Sequence, residues 1–188
     1  QDWDADGLPD WWELEYGLDP DNGGGWNAKA WWKLDETSGT NAADSTSHTN
    51  HGILCGGVSN AWTQGVIGNA LTQDGTNGYV QLFDSASLKP SYLSVALWIK
   101  PSRDYTNGSA VFFTKKQPGA SMGYELSYTN GRLSFLVRAS GNKSVSVPCA
   151  LNQANWYHVA GTYGGNYQGL YVNGALRLVS NYDWGTDR

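Results

Sequence analysis

The sequence predicts an all-β protein in which short antiparallel strands pack as two sheets, and three observations lead there. Twenty-four glycines, ten tryptophans and eleven tyrosines against a single methionine suit short strands and many turns better than long helices. Apolar residues alternate with polar ones over several short stretches, and Asn-Gly and Gly-Gly pairs punctuate those stretches. Helical periodicity of any length is missing.

The elements follow in order. Gly23-Gly24-Gly25 is a flexible joint that divides an acidic segment, residues 1–25, from the body of the chain, residues 26–188. At 188 residues the chain has room for one well-buried domain and a small appendage. An aromatic strand is expected over residues 26–34 and another over 78–83. The clearest strand places Leu93, Val95, Leu97 and Ile99 on one face and Tyr92, Ser94, Ala96, Trp98 and Lys100 on the other, ending at Pro101. Residues 110–114 form a further strand. Tyr124, Leu126 and Tyr128 lead through Thr129-Asn130-Gly131 to Leu133, Phe135 and Val137, which is a hairpin with its turn residues where positive φ is needed. Residues 155–163 and 169–173 complete the set, spaced for meander or Greek-key connections.

Charge is unevenly distributed. Residues 1–21 carry eight acids and no Lys or Arg, whereas the remainder holds nine acids and twelve bases. The mild positive balance of the body offers no stripe for a nucleic acid, and no apolar run approaches the roughly 20 residues that cross a bilayer. Gln1, with no initiator Met or signal sequence, reads as part of a larger extracellular chain. Cys55 and Cys149 are left open between a disulfide and buried thiols.

The acidic cluster has a specific pattern. Asp2, Asp4, Asp6, Asp10 and Glu13 fall at positions 1, 3, 5, 9 and 12 of a loop with Gly7 at position 6, the spacing of an EF-hand calcium loop. A hard dication needs six to eight oxygens. Here they come from Asp2, Asp4 and Asp6, the Leu8 carbonyl, Asp10 directly or through water, and both Glu13 oxygens. No amphipathic helix precedes the loop, so a structural Ca2+ that stiffens the linker is expected rather than a paired sensor. The segment resembles the thrombospondin type 3-like calcium repeats found between extracellular domains.

The body also shows family landmarks. Residues 32–40 (WKLDETSGT), 65–71 (GVIGNAL), 156–163 (WYHVAGTY) and 170–174 (LYVNG) resemble the successive motifs of bacterial laminin G-like domains. The resemblance covers about residues 30–175 and implies a concanavalin A-like jelly-roll sandwich of two antiparallel sheets, used for carbohydrate binding or adhesion. It implies further closing strands after residue 174, so the chain is expected to leave an edge open, to borrow a strand, or to close with residues 176–184. Asp44, in a loop with His48 and His51, matches the family loop that helps to bind calcium; two imidazoles with no third ligand make a poor zinc site.

Catalysis is not expected. Past Glu36 no two acids of the body stand two residues apart, so no strand offers the carboxylate pair of a retaining glycosidase, and neither the Gln-x-His pair of lyases of this shape nor a nucleophile elbow is present. Sugars need ring faces beside polar groups. Trp32, Trp62, Trp98 and Trp156 lie among the family landmarks and are read as packing rings. The ligand candidates are Tyr105, Tyr128, Arg132, Arg138, Tyr163 and Tyr167, and the basic residues among them suit an acidic polysaccharide. The chain is thus expected to be a secreted, calcium-dependent carbohydrate-binding module tethered to other domains. A protein-adhesion or spacer module with no sugar ligand is the alternative.

Overall fold

A computed structural model describes residues 28–56, 61–103, 108–116, 123–139 and 141–182. The proposed calcium ligands Asp2, Asp4, Asp6, Leu8, Asp10 and Glu13, the boundary at residue 25 and Tyr105 lie outside the described residues.

Thirteen strands and one 3-10 turn are described, so the architecture is all-β. Two four-stranded antiparallel sheets dominate. One has the order β10-β9-β8-β7, from β7 (Ser109–Lys116), β8 (Gly123–Thr129), β9 (Arg132–Ala139) and β10 (Gly141–Pro148). The other has the order β13-β12-β11-β6, from β6 (Leu93–Ile99), β11 (Tyr157–Tyr163), β12 (Tyr167–Val172) and β13 (Ala175–Asn181). A three-stranded sheet of β1 (Asn41–Ala42), β2 (Gly52–Cys55) and β5 (Tyr79–Leu82) and a hairpin of β3 (Trp62–Gln64) and β4 (Asn69–Leu71) complete it.

Side-chain alternation decides which faces meet. Leu126, Leu133, Phe135 and Val145 point inward from one large sheet, and Val159, Leu170 and Val172 point inward from the other; all belong to one buried cluster. The sheets meet tightly where the Phe135 ring lies against the backbone of Gly161, since a Cβ there would overlap the ring. A polar tie crosses the same region: Gln168, fully buried, donates from Nε2 to the Phe135 carbonyl at 2.7 Å. Burying that amide without a partner would cost about 1–3 kcal/mol, so the bond fixes the pairing of the two sheets as well as satisfying the group.

The β8–β9 hairpin turns through Asn130 and Gly131, both at positive φ (50° and 77°), which Asn tolerates and Gly adopts freely. A bulge between Val111 and Phe113 in β7 lets Phe113 stack on Tyr124 at 5.7 Å. Tyr124 donates to the Leu88 carbonyl at 3.1 Å, and burial pushes its hydroxyl up to about 12.

Several expectations are revised. The described part of residues 26–34 makes a single bridge, Trp32 to Asp44, rather than a strand, and Leu34 stands at a positive φ of 60° that breaks extended pairing. The segment is held by side chains instead. Asp44 accepts from the amides of Trp31, Thr46 and Asn50 and from the Thr46 hydroxyl, at 2.8–2.9 Å. Cys55 and Cys149 are both free thiols. After residue 174, β13 pairs with β12 from Tyr167↔Asn181 to Val172↔Ala175 and forms the edge of its sheet.

Candidate functional site

The two large sheets turn their outer faces away from each other, and the sequence-derived ligand candidates are divided between them. Arg132 and Arg138 lie on the outer face of β9. Arg132 is committed to β10, donating from Nε to Ser146 Oγ at 3.0 Å and from Nη2 to the Ser146 carbonyl at 2.8 Å. Arg138 has a buried Nε with no hydrogen-bond partner among the described residues. Tyr128 lies on neither outer face. It is 2% exposed, inside the core, and its hydroxyl donates to the Cys149 carbonyl at 2.7 Å. Its position two residues from Leu126 puts it in phase with the inward row, so it presents no ring to a ligand.

Tyr163 and Tyr167 are brought together. They line a cleft of about 570 Å3 with Tyr92, Leu93, Ser94, Thr162, Gly164 and Tyr171. The cross-strand register builds it: Ser94 faces Thr162 and Thr162 faces Gly169, so three small residues form a floor across β6, β11 and β12. Tyrosines rise around this floor. Tyr92 is 68% exposed and Tyr167 44%, whereas the candidate Tyr163 is 5% exposed, stands in phase with the inward residues Val159 and Gly161 and belongs to the core, so like Tyr128 it offers no ring to a ligand. The rings reach their places because Gly164 and Gly165 of the β11–β12 turn lack side chains. A Cβ on Gly164 would overlap the Tyr167 ring, and one on Gly165 would stand 2.8 Å from Tyr92 Cε1. Gly165 also needs its positive φ of 82°.

The turn is anchored from beneath. Lys143 points inward from β10 and donates from Nζ to the Gly165 carbonyl at 3.0 Å. The same ammonium lies 5.5 Å from the Tyr163 ring centroid and 4.6 Å from that of Tyr182. Tyr182 in turn donates to Gln168 Oε1 at 2.7 Å. A continuous set of polar contacts therefore joins the inter-sheet tie to the turn that carries the cleft.

At the floor, Thr162 Oγ1 is buried and has no hydrogen-bond partner among the described residues. Gly169 sets no side chain against it, and a Cβ there would come within 2.8 Å of that oxygen. A buried hydroxyl without a partner is costly unless something arrives to satisfy it. Among the described residues no carboxylate, imidazole, thiol or cation lines the cleft. The chemistry of these lining residues is that of ring faces and hydroxyls.

Asp44, the remaining candidate, is buried, and the amides and hydroxyl around it outweigh the opposing effect of burial and hold its carboxyl below the usual range. His51 Nδ1 accepts from the Asp44 amide at 3.0 Å. Among the described residues no group of three or more His, Cys, Asp or Glu side chains is placed to hold a metal ion.

Tyr92, Ser94, Thr162 and Tyr171 were missed in the sequence. A usable clue existed for two of them, because Tyr92 and Ser94 already fell on the face of β6 opposite its apolar row.

Packed antiparallel sheets of this kind define a concanavalin A-like β-sandwich. Residues 74–188, more than half of the chain, match the laminin G-like family described as the concanavalin A-like lectin/glucanases superfamily, and the chain belongs to it. No curated protein matches it. Among solved structures, an S-layer domain-containing protein from Clostridium thermocellum (residues 221–444) is 25% identical, with a TM-score of 0.53 over 81% of this chain and 72% of that one. Domain 4 of AbnA, a GH43 extracellular arabinanase from Geobacillus stearothermophilus solved in complex with arabinotriose, is 21% identical, with a TM-score of 0.59 over 78% and 77%. The binding domain of botulinum neurotoxin serotype D is 18% identical, with a TM-score of 0.53 over 80% of this chain and 40% of that one. The last two likenesses establish the fold alone. Among the described residues no helix is long and apolar enough to cross a membrane.

Proposed function

We propose that this chain is a non-catalytic carbohydrate-binding module of an extracellular multidomain protein, and that the tyrosine cleft holds a neutral saccharide. One observation carries the reading: exposed Tyr92 and Tyr167 rings stand beside a buried, unpartnered Thr162 hydroxyl. The C–H face of a sugar stacks on a ring while its hydroxyls seek polar partners, and this cleft supplies both. The uncharged lining favours neutral sugars over acidic ones at this place. The arabinotriose bound to the arabinanase domain makes arabino-oligosaccharides a natural first probe.

Calcium belongs to the proposal through the leading segment. Asp2, Asp4, Asp6, the Leu8 carbonyl, Asp10 and Glu13 supply the oxygens of one ion, which stiffens residues 1–25 where they join the sandwich over 26–188. Asp44 is left out, because a cation there would have to displace four hydrogen-bond donors already in place.

The test is affinity electrophoresis and calorimetry against neutral and acidic polysaccharides, comparing the wild type with Tyr167→Ala and Thr162→Val. Binding that both variants weaken while melting no lower than the wild type supports the cleft. The likeness to an S-layer protein domain keeps an adhesion or spacer role as the second reading, and uniform failure of the folded protein to bind any glycan would select it.

A further inference from the structure

We infer that the tyrosine cleft is one end of a longer groove, and that its ligand is an extended, unbranched neutral glycan of several sugars rather than a single terminal unit. This rests on the saccharide reading of the cleft and names the class of ligand it takes. Along the outer face of β6, Tyr92, Ser94, Ala96 and Trp98 are exposed in alternation with the inward row. Six residues of strand separate Tyr92 from Trp98, a span of roughly 20 Å.

The residues between those rings are small. Ala96 faces Ala160 on β11 and Ala160 faces Tyr171 on β12, continuing the floor made by Ser94, Thr162 and Gly169. At the far end Trp98 faces His158, their ring centroids 5.3 Å apart. Trp98 is 48% exposed. Read from the resemblance as a packing ring, the indole packs on His158 on one side and is open to solvent on the other, as a stacking platform would be. Burial holds His158 below its ordinary pKa, so the brace is a neutral imidazole near neutral pH.

Two aromatic stations joined by a floor of Ser, Ala and Gly match a chain that lies flat along the strand. A branch at the middle would meet no pocket there, and a single sugar would leave Trp98 unused. The β12 side rises at Tyr171, which lines the cleft and flanks the floor at Ala160, so the ligand's path runs over β6 and β11.

The experiment is titration calorimetry of the full chain with cello-, xylo-, manno- and α-arabino-oligosaccharides of two to six units, using the wild type, Tyr167→Ala and Trp98→Ala. In the wild type, affinity for the bound series should rise with length until both stations are filled. Tyr167→Ala should weaken every member. Trp98→Ala should leave the shortest ligand unchanged and abolish the gain on lengthening, a loss on the order of tenfold for the longest, the scale of one ring contact. Should Trp98→Ala not melt cooperatively, Ala96→Arg, which places a long side chain on the exposed floor, should give the same length-selective loss. A length series that Tyr167→Ala weakens but that neither Trp98→Ala nor Ala96→Arg alters overturns the groove and leaves the cleft standing. A series that no variant alters, or no binding at all, overturns the saccharide reading beneath it.

Discussion

The Lys143 ammonium reaches across the sandwich from β10 and donates to the Gly165 carbonyl at 3.0 Å, in the turn on which the Tyr92 and Tyr167 rings rest. Lys143 is buried, so this contact is shielded from water and is a charge-assisted hydrogen bond of the stronger kind. Lys143→Met keeps the stem and removes the donor. It should cost about 1.5–3 kcal/mol in denaturant unfolding. It should also speed amide exchange at Gly164 and Asn166, whose N–H groups bond within the same turn to the Tyr167 and Gly164 carbonyls. Wild-type exchange at both amides would show that the turn holds itself.

The contact of Phe135 with Gly161 sets the distance between the sheets. Gly161→Ala should destabilise by about 1–3 kcal/mol through overpacking against the ring. If the steric account is right, the added methyl should cost less in a Phe135→Leu background, because leucine can yield the space. A double-mutant cycle measures this, and additive effects would mean the two residues are not in conflict.

His158 gives the pH dependence a sign. Burial lowers its pKa in the fold, whereas an unfolded histidine titrates near 6.5. Between those values the unfolded chain binds the proton that the folded chain refuses, so stability rises with pH there. His158's contribution is thus whole above about pH 6.5 and is lost as the pH falls below it. Melting temperatures from pH 7.5 to 5 should fall more steeply for the wild type than for His158→Gln; parallel slopes would assign the dependence to other groups.

For the leading segment, EDTA should lower the melting temperature or expose residues 1–21 to a broad-specificity protease, and Asp2→Ala with Asp6→Ala should reproduce the effect. Added calcium should reverse it in the wild type and not in the variant. A melting point and digestion pattern indifferent to EDTA would remove calcium from the account.

Much of the framework was legible because strands report themselves by parity. The alternation in β6 and the Asn130-Gly131 turn each place an element from the sequence alone, and the hairpin pairs at Thr129↔Arg132 as expected. The same parity would have excluded Tyr128, which stands in phase with Leu126, and would have admitted Trp98, which stands out of phase with Leu97. Resemblance to packed family aromatics obscured the second. The cleft itself was harder to foresee. Thr162 becomes a floor residue only when Ser94 and Gly169, far apart in the chain, are brought beside it by register. Arg132 beside the hairpin turn and Arg138 on its outward face are legible from the alternation of β9, but nothing local reveals that their sheet faces away from the tyrosines.

The central claim is that the cleft binds a neutral saccharide through the Tyr167 ring and the Thr162 hydroxyl. The most direct measurement is calorimetric titration of wild type, Tyr167→Ala and Thr162→Val with the polysaccharide that retains the protein most strongly in affinity gels. The account predicts measurable wild-type binding, a loss of roughly tenfold or more in each variant, the scale of one ring contact or one satisfied buried hydroxyl, and melting temperatures no lower than that of the wild type, with Thr162→Val at or above it because an unsatisfied buried hydroxyl is removed. Equal affinity in all three proteins would contradict it and place any glycan site elsewhere on the sandwich.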